Sequence, residues 1–360
     1  MKAGRTIQEM AREILRQSEA KQDYSVNTAN ILMEAGGGAP MLRLLDNTGI
    51  DRVEPLDIQQ TAHRQLGTYL GIPQKYYDKM LTENTGLLAD NVNSWLSRGS
   101  EYRLLRTIDG RARAFLSDRY RRIDNLDIAN ITLPIIEEMP GAYYESCELT
   151  EDYMYIKVVN PRLTAEVVPG DVVQAGVVIS NSETGQGAVC VQPLIYRLVC
   201  SNGMTVNEAR TRRNHVGRVN ISDENLLIYS EATLEADDKA FIMKVQDTVR
   251  AAVGEVQFAK VLGKLRESKD KKLNTADIPG VVKLATASLH MTEAEGDGVF
   301  KHLIRDADYT LYGLANAVTR YSQDVEDYDR ASKLEELGYQ IINMPPALFQ
   351  HINQAARMAA

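Results

Sequence analysis

The sequence predicts an α+β protein, with a mainly antiparallel sheet, a basic β-hairpin and a packed helix in its centre. An N-terminal mostly helical segment (1–97) and a C-terminal helical region (223–360) flank this β-rich core (98–222). Three observations carry the prediction. Apolar residues recur at helical spacing up to about residue 97, alternate with a period of two from about 98 to 222, and return beyond that to a long, proline-poor helical texture.

In the first region Ile58, Ala62, Leu66, Tyr69 and Leu70 make one apolar helical stripe. Gly71 stops that helix and Pro73 opens the next, over Gln74 to Leu81, while Leu87 to Leu96 forms a third helix carrying Trp95. The loop Gly36-Gly37-Gly38-Ala39-Pro40 is followed by neither a Gly-Lys-Ser/Thr nor a GxGxxG pattern, so it reads as a linker and not as a phosphate cradle. In the second region Tyr102 to Ile108 and Arg111 to Ser117 flank Asp109-Gly110, the strongest short hairpin signal. A two-residue turn then pairs Arg106 with Arg113 and Leu104 with Phe115, and the face bearing Arg106, Arg111, Arg113 and Phe115 is expected to point outward. A helix starts near Asp124 or Asn125 and is kinked or ended by Pro134. Strands follow at Tyr153 to Val159, Val172 to Ser180 and Ala188 to Cys200, with a turn expected at Asn202-Gly203. In the third region Leu226 to about Leu265 reads as one long helix or two stacked ones. Glu267 to Lys272 reads as an exposed connection, the acidic stretch around Glu293 as a helix-breaking loop, and Pro345-Pro346 as a break in the last helix.

Composition narrows the function classes. The chain has 360 residues, 41 Lys+Arg against 49 Asp+Glu, a net charge of -8, 44% hydrophobic and 25% charged residues. Those values fit a globular chain. No stretch approaches the roughly 18 apolar residues of a membrane helix. The start, Met1 to Gln17, is charged and amphipathic and lacks a signal-peptide core. Cys147, Cys190 and Cys200 lack paired spacing, which points to buried free thiols in a reducing cytoplasm.

Charge is the steepest departure from average. Residues 98 to 122 hold eight arginines and three acids (Glu101, Asp109, Asp118), a net of +5. A second cluster holds Arg210, Arg212, Arg213, His215 and Arg218 against Glu208. Arginine suits bidentate phosphate contact and stacking on bases. Phe115 and Tyr120 lie among Arg119, Arg121 and Arg122, the mixture that single-strand binding uses. Asp118 and Asp124 are the local acids that would neutralise part of it. Catalytic patterns are absent from the sequence: no HExxH, no GxSxG, and five histidines far apart. Neither a cofactor nor a metal is called for.

The strings Thr61-Ala62-His63-Arg64-Gln65-Leu66, Leu70-Gly71-Ile72-Pro73, Asn93-Ser94-Trp95-Leu96, Ala114 to Arg121, Tyr196 to Gly203 and Leu311 to Thr319 resemble the phage/plasmid-like family catalogued as a domain of unknown function. The resemblance implies a protein of mobile DNA in the cytoplasm of a bacterial host. A hairpin, a helix and further antiparallel strands are also similar in architecture to phage single-strand annealing proteins, which form rings or filaments. By that resemblance Arg111, Arg113, Arg119, Arg121 and Arg122 would face phosphates, Phe115 or Tyr120 would stack on bases, and the C-terminal helices would join subunits. The sequence reading is therefore a non-catalytic, homo-oligomeric single-stranded DNA-binding protein that needs no membrane. Its rivals are a protein–protein interaction module and a metal-dependent nuclease.

Overall fold

The computed structural model describes residues 1–36, 38–207, 211–213 and 231–358. Its α+β architecture matches the expected class, with two antiparallel-dominated sheets where one was anticipated. The strands are β1 (Lys21–Asn27), β2 (Ile31–Glu34), β3 (Met41–Leu44), β4 (Leu56–Ile58), β5 (Tyr102–Ile108), β6 (Arg111–Ser117), β7 (Tyr143–Leu149), β8 (Met154–Glu166), β9 (Val172–Asn181), β10 (Val189–Arg197), β11 (Asn202–Thr205) and β12 (Thr211–Arg213). The helices are α1 (Ile7–Ala20), α2 (Gln60–Tyr69), α3 (Gln74–Glu83), α4 (Thr85–Leu96), α5 (Asn125–Glu137), α6 (Glu231–Ala252), α7 (Glu255–Asp270), α8 (Ile278–Ser288), α9 (Glu293–Asp306), α10 (Leu311–Tyr321), α11 (Tyr328–Ile342) and α12 (Pro346–Met358).

The first sheet runs β1-β5-β6-β4-β3-β2. Its outermost strands, β1 and β2, are joined by the single 3-10 turn Thr28–Asn30, so the sheet curls until its edges approach each other. Helices α2 to α4 fill the hollow, and their stripe of Leu66, Tyr77, Leu88 and Val92 meets Val26, Leu44, Leu105 and Phe115 from the strands. Four strands therefore accompany the helices of the N-terminal segment, and the three-glycine loop is the connection between β2 and β3.

The hairpin forms at the expected turn, where Asp109 (φ 50) and Gly110 (φ 73) take the positive φ values of a type I′ turn. The register then departs from the expectation. A β-bulge leaves Arg113 unmatched, so Arg106 pairs with Ala114 and Leu105 with Phe115. Strands β5 and β6 are interior strands, and packed side chains cover both hairpin faces. Leu105, Ala112 and Phe115 face the helices, while Leu104, Ala114 and Leu116 pack with Tyr120 on the other side. The outward arginine face is corrected accordingly: Arg106, Arg113 and Phe115 are buried.

The second sheet runs β11-β10-β9-β8-β7, with β12 also pairing β10. Helices α1, α5 and α6 close one face over Ile156, Val158, Val177 and Val191. The C-terminal helices α7 to α12 build their own core around Leu265, Val282, Leu314 and Leu334 and join the sheet at Val173, Ile195 and Met204. Lys157 of β8 meets Glu335 of α11 at 2.8 Å with both side chains fully buried.

Four further expectations change. The turn before β11 lies at Leu198 to Ser201, with Ser201 at φ 49, and Asn202 and Gly203 are already in the strand. Pro134 sits inside α5; the carbonyl its ring leaves unpaired belongs to Asn130, which is exposed to water. The charged stretch from Glu267 continues α7, clamped by a Lys271–Glu267 pair at 2.7 Å. The acidic stretch at Glu293 opens α9, where Thr292 and Glu295 form a capping box. The expected C-terminal helix pair is α6 and α7, parted at Gly254, and Pro346 begins α12.

His63 on α2 is buried, its Nδ1 lying 2.9 Å from the Tyr77 hydroxyl, and burial pushes its pKa down to about 4. A depressed folded pKa means that the unfolded chain binds the proton first. The stability present above pH 6.5 is therefore lost as the pH falls towards 4, by about 2 kcal/mol at pH 5. Urea melts at pH 7 and pH 5 should show that loss, and His63→Gln, which keeps a polar partner for Tyr77, should shrink the difference between the two pH values.

Candidate nucleic-acid interface

The arginines singled out by sequence divide into two sets. Arg106 is 2% exposed and lies within 2.9 Å of Asp23 and 2.7 Å of Asp124. Its third contact is the carbonyl of Glu183 at 3.1 Å. Arg113 donates to the Glu183 carboxylate at 3.0 Å, as does Lys21 at 3.1 Å. The same carboxylate accepts the backbone N–H of Asn125 at 2.6 Å. Arg122 is exposed and reaches Asp23 at 3.3 Å. Asp124, the N-cap of α5, is held below the usual carboxylate range by Arg106 and Lys21, which outweigh its own burial. A guanidinium taken out of water requires such partners. These contacts lock the hairpin to β1, α5 and the β9–β10 turn; Arg106 and Arg113 are buried out of a ligand's reach, and Arg122 stays exposed beside Asp23.

The remaining candidates scatter. Arg111 is exposed at the hairpin turn and Arg119 at the opposite end, about 20 Å away by strand rise. Arg121 pairs with Asp237 of α6 at 3.1 Å. Tyr120 is largely buried and donates to the Ser182 carbonyl at 3.1 Å; burial raises its pKa. Arg212 is exposed on β12, and Arg213 belongs to the same strand. Arg210, His215 and Arg218 lie outside the described residues.

A different set converges at the Ser117 end of β6. Arg64, Gln65, Thr68 and Tyr69 of α2, Arg103 of β5, Phe115 to Ser117 of β6 and Gln186 of the β9–β10 turn line a cleft of about 370 Å³. Arg103 is the lining residue with the most contacts to aromatic rings. The guanidinium lies 4.4 Å over the Tyr69 ring and 5.1 Å over the Phe115 ring. Its Nε is buried with no hydrogen-bond partner among the described residues, and the carboxylates of Glu101 and Asp118 act on the group only through space. Burial lowers its pKa, yet a guanidinium stays charged. Arg64 is half-exposed and only 3.4 Å from Asp152.

The cleft is held rigidly. Gln65 accepts the Phe115 N–H at 2.7 Å and donates to the Thr184 carbonyl at 2.7 Å, tying α2 to both sheets. Gly185 (φ 78) allows the close approach, since a Cβ there would sit 2.6 Å from Leu116. Ser117 Oγ accepts the N–H of Arg119 at 3.2 Å, fixing where that exposed arginine leaves the sheet. Sequence reasoning missed Arg64, Thr68, Arg103 and Gln186. The available signal was the spacing of Arg64 with Thr68 and of Gln65 with Tyr69, two i, i+4 pairs on neighbouring faces of one helix. Among the described residues no three His, Cys, Asp or Glu side chains come together in a set able to hold a metal ion.

Residues 114–336 match the family described as Domain of unknown function (DUF932). The chain belongs to this family. The match starts inside β6 and ends inside α11, so it takes in Phe115, Ser117 and Gln186 of the cleft and leaves out α2 and Arg103. No curated protein matches the chain, and no solved structure does.

Glu183 tests the division into locked and free arginines. Glu183→Ala leaves Arg113 buried without its anion, while Lys21 keeps Asp124 at 2.8 Å, and should cost about 3–5 kcal/mol of stability in urea. Arg119→Ala, at an exposed position, should stay within about 0.5 kcal/mol of the parent.

Proposed function

We propose that the protein binds single-stranded nucleic acid without catalysis, and that the cleft around Arg103, not the hairpin face, is where a nucleotide sits. The observation that carries this is the Arg103 guanidinium, its Nε without a hydrogen-bond partner among the described residues, laid over two aromatic rings in an open cleft. A planar cation backed by π systems offers its free face to a base and its edge to a phosphate. Arg64 lines the same cleft and Arg119 follows its Ser117 by two residues, which adds positive charge for a strand's backbone. The side-chain amide of Gln186 and the hydroxyl of Thr68 add neutral donors and acceptors.

The buried arginines take no part in this reading, so the net positive charge available to a ligand is far smaller than the sequence count. The salt dependence should be shallow in consequence. Three neutralised phosphates give a slope of log K against log salt of about -2 for a single strand. A titration of a fluorescently labelled oligothymidylate, read by anisotropy at several sodium chloride concentrations, measures it. Arg103→Gln should weaken binding at least about tenfold through loss of the stacked cation, with an unchanged urea midpoint as the control for folding. Equal affinity for parent and variant would remove the cleft as the site.

A further inference from the structure

We infer that Trp95 and Arg98 form a second stacking platform for the same strand, beyond the cleft. This rests on the reading of the cleft as a single-strand site. Trp95 is the only tryptophan of the chain and is 48% exposed at the end of α4. A large aromatic ring of this kind is normally kept from water. The Arg98 guanidinium lies 4.7 Å from its centroid, and Arg98 has no carboxylate partner among the described residues. The pairing repeats, in exposed form, the arrangement of Arg103 over Tyr69.

The two platforms are joined through the chain. Gly99 follows Arg98, and a Cβ on it would lie 3.6 Å from the Tyr69 hydroxyl and 3.0 Å from Thr28 Oγ1. That hydroxyl in turn donates to Glu101 at 3.3 Å, two residues before Arg103. The stretch from Trp95 to Arg103 thus passes the hydroxyl of Tyr69, a cleft-lining residue, with a cation–aromatic pair at each end. Two such pairs at the ends of one nine-residue stretch suit a flexible polymer of bases and phosphates, and a single mononucleotide would engage only one of them. Arginine on tryptophan supplies both the π face for a base and the charge for the next phosphate.

Trp95 reports on its own occupancy. Oligothymidylate of fifteen nucleotides is titrated into the full chain at about 50 mM sodium chloride, following label anisotropy and tryptophan emission in the same samples. The expected result is quenching of the emission in parallel with the rise in anisotropy. Trp95→Ala, at an exposed position that leaves the core alone, should weaken binding of the same oligonucleotide about tenfold. Anisotropy that rises with no change in emission, together with unaltered affinity of the Trp95→Ala variant, would overturn the second platform while leaving the cleft standing. Absence of binding in both signals would overturn the two readings together.

Discussion

The Glu183 carboxylate, buried between Arg113, Lys21 and the first turn of α5, is the constraint on which the arrangement depends. Two arginines on interior strands could not be desolvated unless anions met them. Asp23, Asp124 and Glu183 arrive from β1, from the cap of α5 and from the β9–β10 turn. Satisfying these charges brings the two sheets together along one seam. The bulge at Arg113 belongs to the same solution, because an extra residue in β6 lets Arg113 reach Glu183 while Leu105 still pairs with Phe115.

The cleft is a by-product of that seam. Where the sheets meet, Gln65 bridges Phe115 and Thr184. Just beyond it the charge matching stops, at Arg103. The contrast between two arginines on one strand is informative. Arg106 has a carboxylate on each side, whereas Arg103, three residues away, lies over two rings and makes no ion pair among the described residues. The family match, which begins at Ala114, covers the sheet that carries Glu183 and Gln186 but not the helix that carries Arg64. One wall of the cleft thus lies within the part shared with the family and the other outside it.

Local chemistry was legible in the sequence and tertiary charge pairing was not. Asp109-Gly110 announces its turn because positive φ is a property of two adjacent residues. The start of α5 at Asp124 is equally local. Strands β2, β3 and β4 are three or four residues long, too short for a period of two to show. The burial of Arg106 depends on Asp23, 83 residues earlier, and that of Arg113 on Glu183, 70 residues later. No window along the chain contains those pairs, so a row of arginines read as an outward face. The capping box Thr292-x-x-Glu295 was present to be read, but the acidic residues and glycines around it resembled a loop.

The order of strands in the curled sheet bears on how the chain reaches this state. Strands β2 to β4 form a meander as soon as they are made, while β1 has only β5 for a partner, more than seventy residues downstream. On a ribosome β1 and the open side of β4 would wait, unpaired, until the hairpin emerges to fill the gap between them. The hollow meanwhile holds only α2 to α4, so the chain up to that point lacks the central staves of the sheet its helices fill.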